Sequence, residues 1–148
     1  MTSDSSGASP EAAEIRDLLL RYTEWFSAGD AGRIAREAYH VPFQGFLATG
    51  PLAVSSVEAV ELALAATIGA MRLTGYARST LSEPVVSLLD HRAAIASGVV
   101  TRYRADGTVM DTLGSSYLLG KTLLHGWRIL SNFTHDQGSV VRLVPVSS

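Results

Sequence analysis

RAAIASGVVTRYRADGTVMDTLGSSYLLGKTLLHGWRILSNFTH, running from Arg92 to His135, decides the fold. Val, Ile, Thr, Tyr, Phe and Trp recur through it, the residue types that fill a pleated, half-buried surface. Two turn signals divide it, Ala105-Asp106-Gly107 and Leu124-His125-Gly126. Long strands are therefore expected over Arg92–Arg104, Val109–Lys121 and Trp127–His135, paired as an antiparallel meander. Along the last of them Trp127, Ile129, Ser131, Phe133 and His135 share one face, and Arg128, Leu130, Asn132 and Thr134 share the other. The odd set is the less polar and is assigned inward. Carried across the Asp106-Gly107 turn, that parity sets Tyr103 beside Asp111 and Thr101 beside Leu113. The assignment is fragile, because a slip of one residue reverses every face.

Upstream the period changes from two to that of a helix. Ser9 stands as N-cap before Pro10 and Glu11, and Ile15, Leu18, Leu19, Tyr22, Trp25 and Phe26 form an apolar stripe that Gly29 ends. Asp30 is placed to cap a shorter helix over Ala31–Ala38, closed by Val41-Pro42. Phe43–Ala48 reads as a short strand and Gly50-Pro51 as a turn. Ser55 and Glu58 have the spacing of a capping box that opens a third helix, with its stripe at Val57, Val60, Leu64, Ile68 and Met71 and its end at Gly75. Ala77–Leu89 alternates loosely, and Pro84 marks an edge or a bulge there. Helices first and a meander afterwards imply an α+β domain with helices on one face of a bent sheet.

Composition bounds the rest. At 148 residues the chain suits one domain with a sizeable core. We divide it into a tail over residues 1–8, a domain over 9–137, and an extension over 138–148. Val140, Val141, Leu143, Val144 and Val146 make that extension too apolar to float free, so it is expected to lie on the domain or on a partner. Charged residues make up only 18%, against about 25% in ordinary domains, which points to apolar surface hidden in a pocket or a subunit interface. A net charge of −2 offers no field for nucleic acid. Without cysteine there is no disulfide or thiolate chemistry. Met1–Pro10 lacks the blocks of a secretory leader, and no apolar run reaches the length of a membrane span, so the expected address is the cytoplasm. The four histidines are scattered without metal-ligand spacing, and phosphate-cradling glycine motifs are missing, so neither metal nor cofactor is expected.

Several local motifs carry a family likeness. Arg21-Tyr22, Ala28-Gly29-Asp30, the run Arg102–Gly107, Tyr117-Leu118-Leu119 and Gly126-Trp127-Arg128-Ile129 lie in the order and context of the nuclear transport factor 2-like superfamily. The chain resembles that superfamily from about Ser9 to His135; its members include SnoaL-like polyketide cyclases and ketosteroid isomerases. The resemblance implies a cone-shaped roll, with three N-terminal helices packed on a strongly bent, largely antiparallel sheet around a cavity. It also implies a homodimer joined through the outer sheet face, where Val100, Met110, Leu118 and Leu130 are expected.

By the same resemblance, Tyr22 stands where ketosteroid isomerases carry an oxyanion-hole tyrosine. A phenol in an apolar cavity is a strong donor to a developing oxyanion; its place in the helix stripe equally suits a plain core residue. The isomerase base, an Asp after the second helix, has no counterpart, because Tyr39–Phe46 holds no carboxylate. The second donor of that set falls near Thr101. Asp111 sits in mid-strand, where carboxylates are disfavoured. Turned inward it is a candidate acid or base in an apolar site; turned outward it pairs with Arg102 or Arg104. His135, at the cavity mouth, and His40, near the place of the absent base, are candidate proton shuttles. Trp25, Phe43, Phe46, Tyr103 and Trp127 are expected to wall the pocket. Two functions follow: an isomerase- or cyclase-type enzyme doing acid/base chemistry on a hydrophobic carbonyl compound, or a ligand-binding or assembly module without chemistry.

Overall fold

A computed structural model describes residues 9–47, 49–144 and 146. The tail expected over residues 1–8 lies outside them, as does Ala48. Helix α1, Pro10–Ala28, begins where Ser9 Oγ accepts the backbone N–H groups of Glu11 and Ala12, at 3.1 and 3.2 Å. It stops at Gly29, whose φ of 76° is the left-handed conformation that glycine adopts without strain. Asp30 then caps a short helix α2, Ala31–Arg33, which runs on as a π-helical turn over Ile34–Ala38. Strands β1, Tyr39–Leu47, and β2, Gly50–Val54, form a hairpin. Gly50-Pro51 therefore opens a strand that the sequence reading left as a turn. Helix α3, Val57–Leu73, is capped by Ser56, which accepts from the Ala59 N–H. The cap sits one residue later than the Ser55 box, because adjacent serines offer the same oxygen and the backbone path selects between them.

The meander follows as β3, Tyr76–Leu81, β4, Val85–Leu88, β5, Ala93–Arg104, β6, Val109–Thr122, and β7, Gly126–His135. Pro84 falls in the break between β3 and β4, which both pair with β5. The sheet order is β2-β1-β7-β6-β5-β3, and every pairing is antiparallel except β1 with β7. The α+β roll of helices on a bent, largely antiparallel sheet is thus the observed architecture.

Two of the sheet's register shifts correct the expected faces. Leu118 pairs with Ser131 while Leu119 pairs with Ile129, so Leu130 is an extra residue in β7. Trp127 and Ile129 point into the core as expected, but beyond the bulge Asn132 and Thr134 take over the inner face. Ser131 and Phe133 turn to the outer one, and His135 stands at the cavity's edge. In the neighbouring pair Arg102 faces Asp111 while Tyr103 faces Val109, so Met110 is extra. The expected pairs Tyr103–Asp111 and Thr101–Leu113 are off by one; Thr101 faces Thr112 and Val100 faces Leu113. The cause begins in the turn, where Gly107, at φ 88°, donates to the Arg104 carbonyl and Asp106 Oδ1 accepts from the Thr108 N–H.

The core gathers Ile15, Leu19, Ile34, Leu119 and Ile129, all essentially inaccessible to solvent. The extension returns along the outer side, where the Val141 N–H donates to Ser97 Oγ at 2.9 Å and the Leu143 N–H to Ser87 Oγ at 3.3 Å.

Candidate functional site

Between α1, α3 and the open end of the sheet lies a cavity of about 780 Å³. That volume falls in the range of drug-sized ligand pockets. Helix α3 forms one wall with small or flexible residues, among them Ala63, Leu64, Ala66, Thr67, Ala70 and Met71. Only Val60 and Ile68 of this helix are buried; Val57 and Leu64 pack half-buried against the core, and Leu64 and Met71 also border the cavity.

The polar end is built from tyrosines. Tyr22 reaches in from α1, Tyr39 from the start of β1, and Tyr117 from β6. The Tyr39 hydroxyl donates to the Tyr22 hydroxyl at 3.1 Å, which leaves the Tyr22 proton free to be donated onward. Tyr117 stands edge-on to Tyr22, ring centres 6.1 Å apart, and Phe43 stacks flat on Tyr39 at 4.0 Å. Asn132 donates to Ser115 Oγ at 3.3 Å beside them. Burial pushes the phenols of Tyr22, Tyr39 and Tyr117 well above their ordinary range, since a phenolate there would be desolvated. Repulsion from Tyr39 lifts Tyr22 further, and the Arg102 charge pulls it partly back. These groups are neutral hydrogen-bond donors at any physiological pH.

Toward the hairpin end, Arg102 and Asp111 supply the cavity's opposite charges, 3.6 Å apart across β5 and β6. The sequence reading opposes an inward Asp111 to an outward one paired with a strand arginine; here Asp111 lines the cavity and pairs with Arg102 on that same face. The desolvation that an apolar-site acid requires is not met, because its side chain keeps 49% of its exposure.

The remaining candidates divide. Phe43 lines the cavity beside Tyr22 and Asp111. Phe46, three residues on, points the other way and is 57% exposed. Trp25 lies outside the cavity with the guanidinium groups of Arg21 and Arg33 at 6.0 and 5.6 Å from its ring. Tyr103 is turned out by the Met110 bulge and covered by Arg78 at 4.1 Å. Trp127 is a buried core residue whose Nε1 has no partner. His40 is tied by Nε2 to the Gly120 carbonyl at 3.0 Å, away from the cavity. His135 borders the cavity at the strand end, but its ring is held by Ser116 Oγ at 2.7 Å and the Asp136 carbonyl at 3.0 Å. Ser116 belongs to the outer face, so the ring stands at the cavity's edge with both nitrogens engaged. Val100, expected outside, lines the cavity. Tyr39, Tyr117, Asn132 and Arg102 are the inner residues that the sequence reading missed. Among the described residues no group of His, Asp and Glu has the arrangement of a metal site, and no helix is long and apolar enough to cross a membrane.

Residues 13–137 match the family model described as NTF2-like protein (DUF6841). The chain belongs to this NTF2-like family. No curated protein sequence matches it. Among solved structures it is similar to an NTF2-like protein with a cystatin-like fold from Novosphingobium aromaticivorans, at 19% identity over 84% of this chain and 80% of that one, with a TM-score of 0.70. It is similar to Aln2 from a Streptomyces species, at 23% identity over 88% and 94% of the two chains, with a TM-score of 0.69. A Catenulispora acidiphila protein in complex with S-DNPA aligns at 16% identity over 83% and 90%, with a TM-score of 0.64. At such identities the likeness is one of fold: the NTF2-like roll is shared, and its sites are not thereby assigned.

Proposed function

We propose that this NTF2-like domain binds a hydrophobic, carbonyl-bearing small molecule, with its oxygen accepting a hydrogen bond from Tyr22. The Tyr39-to-Tyr22 hydrogen bond inside an apolar cavity carries this reading, because it spends the Tyr39 proton internally and leaves the Tyr22 proton to a guest. Such a donor polarises a carbonyl without ionising, in surroundings where a hydrogen bond is stronger than in water. Proton abstraction by a buried base finds less support, since the cavity's carboxylate, Asp111, is half-exposed and ion-paired. Binding is therefore the first reading. The isomerase- or cyclase-type enzyme is the second, favoured by the place of Asp111 on the cavity wall. A binding titration with 2-acetylnaphthalene, a flat apolar ketone, tests the first. Tyr22→Phe is expected to weaken binding about 5-fold, the worth of one neutral hydrogen bond. Ala63→Trp, which fills the cavity from α3, is expected to abolish it. Binding indifferent to both changes would sink the reading.

We propose also that the domain pairs with a second copy of itself through the outer sheet face. Phe46 and Phe133 are 57% and 50% exposed there and, with Pro51 and Leu52, border one shallow hollow. Isolated exposed apolar residues are ordinary, whereas a contiguous patch marks an interface. Sedimentation at tens of micromolar should give a dimer, and Phe133→Lys should give a folded monomer. A wild-type monomer under those conditions would count against the pairing.

A further inference from the structure

Arg102 and Asp111 do not behave as a settled ion pair. Their contact is a single nitrogen–oxygen approach of 3.6 Å, longer than a hydrogen bond, although a guanidinium can grip a carboxylate through two short parallel bonds. Among the described residues the Arg102 guanidinium makes no hydrogen bond, so its fork of donors is unspent. The two ends of the pair also differ in burial. The Arg102 side chain keeps 27% of its exposure and Asp111 keeps 49%, so the cation belongs to the cavity and the anion to its rim. A half-exposed carboxylate gives up a loose partner at little cost, because exposed ion pairs contribute little to stability. Arg102 and Tyr22 both line the cavity, which places cation and neutral donor around one space. A guest lying between them meets apolar walls, a phenolic donor at one end and a planar cation at the other.

We infer that Arg102 anchors a carboxylate on the bound molecule, and that Asp111 is the internal stand-in which this carboxylate displaces. The inference rests on the cavity being a small-molecule site and adds the ligand's class: a flat, apolar acid rather than a neutral compound. It also gives the two members of the pair opposite roles. Arg102 attracts the guest, while Asp111 competes with it and repels it.

A matched pair of probes on the full chain separates these ideas. 2-Naphthylacetic acid and 2-naphthylacetamide share one ring system and differ in charge. The wild-type protein is expected to bind the acid about 10- to 100-fold more tightly than the amide, the range of a charged hydrogen-bonded contact. Arg102→Gln should remove the preference, bringing the acid down to the level of the amide. Asp111→Asn, nearly the same shape without the charge, should strengthen acid binding severalfold and leave the amide alone. A merely structural pair would not produce opposite signs from its two halves, and Asp111→Asn carries the test by itself should Arg102→Gln fail to fold. Equal binding of acid and amide, or weaker acid binding in Asp111→Asn, overturns the anchor and leaves the small-molecule cavity standing. If neither probe binds, the cavity reading falls and takes the anchor with it.

Discussion

Above about pH 10 this domain is expected to lose about 4 kcal/mol of stability per pH unit. Tyr22, Tyr39 and Tyr117 cause it. Burial raises the pKa of each phenol in the folded chain, while the unfolded chain releases the same protons near the ordinary value of about 10. Below that value both states hold all three protons, and the tyrosines contribute no pH dependence. Above it the unfolded state binds fewer protons than the folded one, so stability falls as pH rises, until the folded phenols themselves ionise. Small domains are stable by about 5–15 kcal/mol, and the slope consumes much of that within two or three pH units. Denaturant titrations at stepped alkaline pH measure it. Each of Tyr22→Phe, Tyr39→Phe and Tyr117→Phe should lower the slope by about 1.4 kcal/mol per pH unit. A tyrosinate absorbance near pH 10 in the still-folded protein that shrinks in Tyr22→Phe, Tyr39→Phe or Tyr117→Phe would refute the prediction, and with it the neutral-donor character of the cavity's polar end.

The parts of this fold legible in the sequence are those that local chemistry decides. Ser9, Pro10 and Gly29 mark the ends of α1 because capping needs only one oxygen at the start and one left-handed residue at the stop. The stripe from Ile15 to Tyr22 shows its buried face because a helix repeats on a fixed period. Pairing between distant strands has no such local signal. The parallel contact of β1 with β7 joins segments about ninety residues apart, and β2 is a strand chiefly because β1 is there to pair with it. Neither is written in a periodicity.

The site shows the same division more sharply. Tyr22 was readable, being on the first helix's stripe. Asp111 was found on the cavity wall, but through a register that placed Tyr103 opposite it. Directly opposed residues on antiparallel strands share a face, so a shift of one exchanges Tyr103 for Arg102. The cavity thereby gains a cation and loses an aromatic ring. The Leu130 bulge does the same on β7, bringing Asn132 and Thr134 to the cavity in place of Ser131 and Phe133. Nothing in Arg128-Ile129-Leu130-Ser131 distinguishes a bulged strand from a regular one. Helix α3 is legible too, yet its Ala-rich wall gives no sign that part of it borders open space.

That contrast between core and wall sets the second large effect. Leu119→Ala is expected to cost about 2–5 kcal/mol, and Leu64→Ala less than about 1 kcal/mol. Leu119 and Ile129 are inaccessible to solvent, face each other across β6 and β7, and border no part of the cavity. Removing three carbons from Leu119 forfeits their transfer from water and opens a void that rigid strands on both sides cannot close. Leu64 is half-buried and already faces open volume, so its truncation enlarges a cavity instead of creating one. The ligand assay should reverse the order: Leu64→Ala should change binding of a flat apolar probe, while Leu119→Ala, kept below its lowered melting point, should leave it unchanged. Ile129→Ala is expected to cost as much as Leu119→Ala, and the double variant to depart from the sum by about 0.5–3 kcal/mol, because the two side chains share one space. Denaturant midpoints and one binding isotherm per variant decide it. Comparable losses of stability at Leu64 and Leu119 would mean that α3 packs as core, and that the space beneath it is not held open by the fold.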